Sequence, residues 1–276
     1  MHYILNALRG AIIGMAELVP GISGGTVALI IGIYERALRN ANWLISGRFK
    51  QVEWGFLASV AVGIFAAVFG FSSILSAFVE NQVSVSNALF FGMVAVSIFV
   101  PFSMLSAADR TSRQAIIAFI LAAISFFLLT GYISEPKENP SFIAIFFAAA
   151  IAVCALIMPG VSGSLILLTL GLYAPIITAV SERNFAIIGV FFLGAICGLA
   201  AFVKVLNYLL EHKRTPTLAA MAGFMLGSLR PLWPFGSDQD ASTGLVFAIM
   251  ALGALVVALF IFADARAAKT IEKKAS

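Results

Sequence analysis

A chain of 276 residues that is 61% hydrophobic and only 11% charged, with a mean hydropathy of +1.04, cannot clothe itself in a polar surface, which excludes a soluble domain. Its net charge of +4 is small, and no nucleic-acid partner is expected. Cys154 and Cys197 lie in apolar stretches without CxxC spacing, and His2 and His212 fall near segment ends. A disulfide framework and a structural metal are therefore not expected, nor is a cofactor.

The N-terminal stretch 1–16 has one charge, Arg9, and no small-residue cleavage pattern, so it reads as part of the fold and not as a removable signal. Apolar segments then fall at 3–34, 54–79, 86–106, 114–133, 141–177, 185–210, 216–233 and 243–263. A bilayer core of about 30 Å needs roughly 20 helical residues to cross at about 1.5 Å each. Segments 3–34 and 141–177 are too long for one span, and each is interrupted centrally by Pro-Gly.

Those two interruptions are copies of one motif. Pro20-Gly21-Ile22-Ser23-Gly24-Gly25-Thr26 returns 139 residues later as Pro159-Gly160-Val161-Ser162-Gly163-Ser164-Leu165, and the match continues from Gly32-Ile33-Tyr34 to Gly171-Leu172-Tyr173. Fainter similarity joins Gly92-Met93-Val94-Ala95-Val96-Ser97 to Gly223-Phe224-Met225-Leu226-Gly227-Ser228, at an offset of 131. The chain thus divides into a first repeat, 1–135, and a second, 140–276. Each holds one broken segment and three simple ones.

Lys and Arg are retained in cytoplasmic loops. The clusters Arg36, Arg39, Arg48 and Lys50; Arg110 and Arg113; Lys213 and Arg214; and Arg266, Lys269, Lys273 and Lys274 all become cytoplasmic if the six simple segments each cross once. Only Lys137 and Arg183 are left outside. This works if 3–34 enters and leaves on the internal face and 141–177 on the external one, so each broken segment is a re-entrant hairpin. A single kinked span in place of each hairpin moves several clusters outside. The expected fold is an all-α polytopic membrane protein made of an inverted-topology repeat, each half one re-entrant hairpin plus three transmembrane helices, with both termini cytoplasmic.

Proline cannot donate to a helix ladder and glycine tolerates close backbone approach, so each break frees amides that need partners inside protein or in a wet cavity. A second arm starting near Ser23 and near Ser162 presents unpaired amides and partial positive charge. Ser23, Gly24, Gly25, Thr26, Ser162, Gly163 and Ser164 are the candidate donors to one phosphate or carboxylate held between the two turns. Pro, Gly and Ser also kink membrane helices and let them pack closely without binding anything. The GxSG strings Gly21-Ile22-Ser23-Gly24 and Gly160-Val161-Ser162-Gly163 occur in intramembrane serine proteases too, but His2 and His212 are poorly placed to serve as the base.

Charged residues inside apolar segments are functional candidates because they are costly there unless paired or hydrated. Glu17, three residues before Pro20, has Leu156 as its counterpart, so the symmetry breaks where a carboxylate can carry a proton. It can equally cap frayed amides or pair with Arg9. Arg230, before Pro231, offers a planar fork of donors suited to phosphate, or snorkels to the external interface beside Trp233. Lys204, followed by Glu211, His212, Lys213 and Arg214, reads as a snorkelling residue.

Glu17 to Thr26, the second Pro159-Gly160-Val161-Ser162-Gly163-Ser164, and Gly227-Ser228-Leu229-Arg230-Pro231-Leu232-Trp233 together resemble the PopT family of bacterial undecaprenyl-phosphate translocases, formerly catalogued as a domain of unknown function. The resemblance covers essentially the whole chain. It implies return of the cell-wall carrier lipid from the outer to the inner leaflet of the bacterial cytoplasmic membrane, where peptidoglycan synthesis reuses it. Carried onto this sequence, it falls on Glu17, the two Ser-Gly turns and Arg230. The Ser164-Leu165 counterpart of Gly25-Thr26 makes the two turns unequal.

The expected mechanism docks the phosphate between the turns, with Arg230 adding charge and Glu17 binding H+ or Na+ to couple transport to a gradient. A secondary transporter of a small soluble anion would use the same features and differ by an aqueous vestibule in place of a lateral opening. A membrane enzyme is the third class, and the sequence offers it no placed histidine, metal-ligand cluster or paired carboxylates.

Overall fold

A computed structural model describes residues 2–17, 24–132, 134–137, 140–235 and 241–275, and every regular element among them is a helix. The first broken segment forms α1 (His2–Glu17) and α2 (Gly24–Ile30), followed by α3 (Tyr34–Ile45) and the long α4 (Trp54–Asn81). Then come α5 (Val83–Ser97), the short α6 (Phe99–Ser103) and α7 (Ala107–Arg110), and α8 (Arg113–Leu129). The second broken segment forms α9 (Phe142–Ile157), α10 (Gly163–Thr169) and α11 (Tyr173–Ser181). The chain ends with α12 (Phe185–His212), α13 (Arg214–Gly227) and α14 (Thr243–Ala275).

The repeated Gly-x-Tyr sets a second break that the apolar pattern conceals. Gly32 and Gly171 adopt φ of 71° and 69°. The amides one residue on reach back five positions, Ile33 to Ala28 at 3.0 Å and Leu172 to Leu167 at 2.8 Å. That is the Schellman closure, which a residue with a Cβ resists. It stops α2 and α10 at seven residues each, about 10 Å of rise against a bilayer core of about 30 Å. Neither short arm is long enough to cross by itself. Beyond Gly171 the chain swings by 110° between Gly163–Thr169 and Tyr173–Val180.

Helices pair through small residues, as they do where lipid removes the hydrophobic drive for association. A Cβ at Gly63 of α4 would overlap the Ala7 carbonyl of α1, and one at Gly194 of α12 would overlap the Phe146 carbonyl of α9. The same holds for Gly92 of α5 against Met250 of α14, and for Gly223 of α13 against Phe119 of α8. The closest crossings therefore come in two matched sets, α1–α4 with α9–α12 and α5–α14 with α8–α13. In the second set each helix pairs with one from the other sequence copy. Around these crossings a buried core runs from Val27 and Leu29 on α2 through Phe90 and Val94 on α5 to Leu206 and Met225 on α12 and α13.

A polar clasp closes the loop between α3 and α4. The Arg36 guanidinium grips the Glu53 carboxylate, and Asn40 donates to the same carboxylate at 3.1 Å while accepting the Glu53 amide at 2.7 Å. Arg36 also lies over the Phe56 ring, 4.1 Å from its centroid. Asn40 is fully buried, so these bonds satisfy an amide side chain that could not otherwise be hidden. The clasp holds Glu53 well below the usual carboxylate range, at about 2, through the hydrogen bonds from Arg36 and Asn40.

Several segment boundaries differ from the sequence reading. Among the described residues, Val83–Ser103 and Phe185–His212 are long and apolar enough to cross a membrane, and the bent pair around Gly171 would make a third. The other apolar helices, including Arg113–Leu129 and Phe142–Ile157, are shorter by this measure. The expected helix 216–233 ends at Gly227, with Ser228–Leu232 in consecutive turns. Pro231 explains the stop, since it disfavours helical conformation at the residue before it. The last helix runs past 263 through the terminal charges, because nothing in that stretch breaks a helix.

Candidate functional site

The second Pro-Gly turn joins the C-terminus of α9 to the N-terminus of α10. Met158 leaves the helix in an extended conformation, Gly160 takes φ of 83°, and the Val161 amide closes the turn on the Met158 carbonyl at 3.2 Å. Gly160 has two reasons to lack a side chain. Its φ disfavours one, and a Cβ would lie 2.5 Å from the backbone nitrogen of Met225 on α13. Three residues on, a Cβ at Gly163 would lie 2.6 Å from the Ala152 carbonyl, so the short arm packs tightly onto the long one.

Ser162 is the N-cap of α10, yet its hydroxyl does not cap the helix. It instead pairs with the Ser164 hydroxyl at 2.9 Å. Ser162 is half-buried and Ser164 exposed. Each hydroxyl carries one proton and two acceptor positions, so a mutual bond leaves the pair a proton to offer elsewhere.

The two turns meet. The Gly160 amide donates to Thr26 Oγ1 at 2.8 Å across 134 residues of sequence, and both groups are buried. Thr26 is 2% exposed. The asymmetry between Thr26 and its counterpart Leu165 has a structural use, because a hydroxyl on one copy satisfies the amide that the break frees on the other. Sequence reading named Thr26 as a phosphate donor and missed this partner. With its acceptor side taken, the hydroxyl retains its one proton.

Arg230 sits on the turn after α13 and is exposed. Its Nη1 donates to the Phe127 carbonyl at 2.9 Å, and its guanidinium lies 4.8 Å from the centroid of the Phe127 ring. The guanidinium packs so closely on Gly131 that a Cβ there would overlap it. The Phe127 carbonyl belongs to the last turn of α8, where carbonyls lack helical partners and the dipole favours a cation. No sequence pattern linked 127 to 230. Among the described residues no hydrogen bond joins Arg230 to Ser162 or Ser164.

Of the other candidates, Gly24 is buried and Gly25 half-buried at the start of α2. Ser23 lies outside the described residues, as do Pro20, Gly21 and Ile22. Glu17 is the last residue of α1, and its side chain also lies outside what is described. Lys204 is exposed on α12 and Arg9 half-buried on α1. Asn207 links α12 to α3 by donating to the Val203 carbonyl at 2.9 Å and the Leu38 carbonyl at 3.4 Å.

A chain of apolar helices, zipped at glycines and with Thr26 of one motif copy bonded to Gly160 of the other, is a helical membrane protein. It belongs to the VCA0040-like, undecaprenyl phosphate translocase-like family, whose model matches residues 13–258. The resemblance read from the three motifs is thereby borne out. The chain is 32% identical over 248 residues to a polyprenyl-phosphate transporter of Vibrio cholerae serotype O1, covering 85% of this chain and 79% of that protein. It is 28% identical over 247 residues to a polyprenyl-phosphate transporter of Staphylococcus aureus, covering 83% and 86%. No solved structure matches it.

Proposed function

We propose that this protein moves undecaprenyl phosphate from the outer to the inner leaflet of the bacterial cytoplasmic membrane and so returns the carrier lipid for peptidoglycan synthesis. The observation that carries the reading is the bond between Thr26 and Gly160, which brings the two broken motifs to one junction. Beside it stands a serine pair with a proton to give. The names of the Vibrio and Staphylococcus relatives favour a polyprenyl phosphate over a small soluble anion, and they favour transport over catalysis.

A phosphate monoester carries about −1.5 to −2 charges near neutral pH, and hydrocarbon cannot hold that unpaired. The head group docks between the turns on Ser23, Gly24, Gly25, Thr26, Ser162, Gly163 and Ser164. Arg230 adds charge while the prenyl tail stays in lipid. Glu17 binds H+, or Na+, and couples the cycle to the gradient. The two halves sit inverted in the membrane with both termini cytoplasmic, and exchange conformations to alternate access. The matched glycine crossings support this symmetry.

Reconstitution tests the reading. Undecaprenyl phosphate loaded in one leaflet of proteoliposomes is expected to equilibrate faster than in protein-free vesicles, and the Ser162→Ala, Ser164→Ala double variant to lose most of that acceleration. Uptake of inorganic phosphate without lipid movement would establish the soluble-anion transporter instead.

A further inference from the structure

At the N-terminus of α2 lies an open groove of about 280 Å³. The groove is open and not enclosed, so it can seat a segment of a longer molecule. Its walls are hydrocarbon contributed by both sequence copies, among them Ile13 of α1, Val60 of α4, Leu156 of α9 and Leu199 of α12, with Ala37 of α3. Gly24 and Gly25, the first residues of α2, belong to the same lining. The apolar groove therefore reaches two of the proposed phosphate-binding residues.

Tyr34 stands in this wall. It is 5% exposed, and its hydroxyl is buried with no hydrogen-bond partner among the described residues. Buried tyrosine hydroxyls are ordinarily paired, and an orphan calls for a reason. A phosphate held at Gly24 and Gly25 is the kind of acceptor this donor lacks.

Resting on the reading of the turns as a phosphate site, we propose that the groove seats the head-proximal isoprenoid segment of a polyprenyl phosphate, with the Tyr34 hydroxyl donating to its phosphate. The chemistry of the two lipid classes decides the occupant. In a polyprenyl phosphate the hydrocarbon begins at the phosphate ester, so an apolar wall can run straight from the turn. A glycerophospholipid interposes glycerol and two ester groups, which this lining would leave without partners.

The test measures binding to the purified full-length protein in nanodiscs of neutral lipid, using undecaprenyl phosphate, a one-isoprene phosphate and phosphatidylglycerol. The wild type is expected to prefer undecaprenyl phosphate to the one-isoprene phosphate by at least about tenfold, or ~1.4 kcal/mol. Ala37→Phe fills the groove and is expected to abolish that preference, with the larger loss falling on undecaprenyl phosphate. Ala41→Leu, at a second lining position, repeats the test should the first variant not fold. Tyr34→Phe is expected to weaken both phosphates by a similar factor. No chain-length preference in the wild type, equal losses for both phosphates in Ala37→Phe, or equal competition by phosphatidylglycerol would overturn the groove assignment. Unchanged affinities in Tyr34→Phe would overturn the hydroxyl's role. Failure of the wild type to bind either phosphate is a different result, because it removes the phosphate site itself.

Discussion

Thr26 accepts a hydrogen bond from the amide of Gly160 at 2.8 Å, and this bond connects the two copies of the Pro-Gly motif inside the protein. Replacing the hydroxyl by a methyl in Thr26→Val keeps the shape and strands a buried amide, at a cost of about 1–3 kcal/mol. Thr26→Ser retains an acceptor. Thermal unfolding in detergent is expected to rank wild type and Thr26→Ser above Thr26→Val, with lipid translocation falling in the same order. Equal stability of the valine variant would show that the amide finds another partner.

Gly160→Ala addresses the other end of that bond. The substitution combines a φ of 83° with a Cβ 2.5 Å from backbone of α13, and strain at such a position costs on the order of 1–3 kcal/mol before any displacement of the helix. A lowered Tm and reduced transport are expected together. Ser162→Ala, with ordinary backbone geometry, is expected to lower transport and leave Tm nearly unchanged.

Arg230 has a packing role at the end of α8 and a proposed role on phosphate, and two variants separate them. Arg230→Lys retains a cation and is expected to keep much of the affinity for undecaprenyl phosphate, whereas Arg230→Ala is expected to lose about tenfold or more, because charge-assisted bonds are worth roughly twice neutral ones. Binding titrations at low and high salt provide the readout. If lysine and alanine behave alike, the residue acts through the Phe127 contact and not through charge.

The coupling role proposed for Glu17 predicts a change in pH response. Glu17→Gln is expected to leave lipid binding largely intact while flattening the dependence of translocation on pH or on an imposed ion gradient. Proteoliposomes with a clamped gradient measure this directly, and an unaltered gradient response would end the proposal.

The clasp at Glu53 gives a stability prediction with a defined sign. Its carboxyl is lowered from about 4.5 to about 2 in the folded protein, so the clasp's contribution is fully present above about pH 4.5 and is lost as pH falls through about 2. Glu53→Gln is therefore expected to lower Tm at neutral pH, with the gap to wild type closing as pH falls from 4.5 toward 2. A gap independent of pH would mean that the lost interaction is not ionic.

Topology can be tested at two loops. The loop holding Gln51 and the one holding Glu135 are exposed. In a cysteine-free background Gln51→Cys is expected to label from the cytoplasmic side and Glu135→Cys from the other. Labelling from one side would contradict the inverted arrangement. Asn40 on α3 is buried against Glu53 and unsuited to labelling.

Much of this protein was legible because a membrane imposes strong rules on composition. Apolar length and loop charge located the helices, and the recurrence of Pro-Gly-x-Ser-Gly located the breaks. Six of the eight expected starts, 3, 54, 114, 141, 185 and 243, agree to within a residue with the starts of α1, α4, α8, α9, α12 and α14. The short arms were not legible as such. Gly32 and Gly171 lie within apolar runs, and only their positive φ reveals that each ends a helix.

By itself the sequence determined the solvent, the helical class, the two breaks and the family, since each of these depends on local chemistry or on pattern recurrence. Which groups meet was decided only in three dimensions. Thr26 finds Gly160 across 134 positions and Arg230 finds Phe127 across 103, because backbone groups freed at a break or a helix end must be paired wherever the packing brings a partner. The direction of a hydroxyl and the identity of a helix-end carbonyl leave no periodic trace along the chain. They are fixed when glycine crossings bring the helices close enough for the remaining polar groups to choose among neighbours.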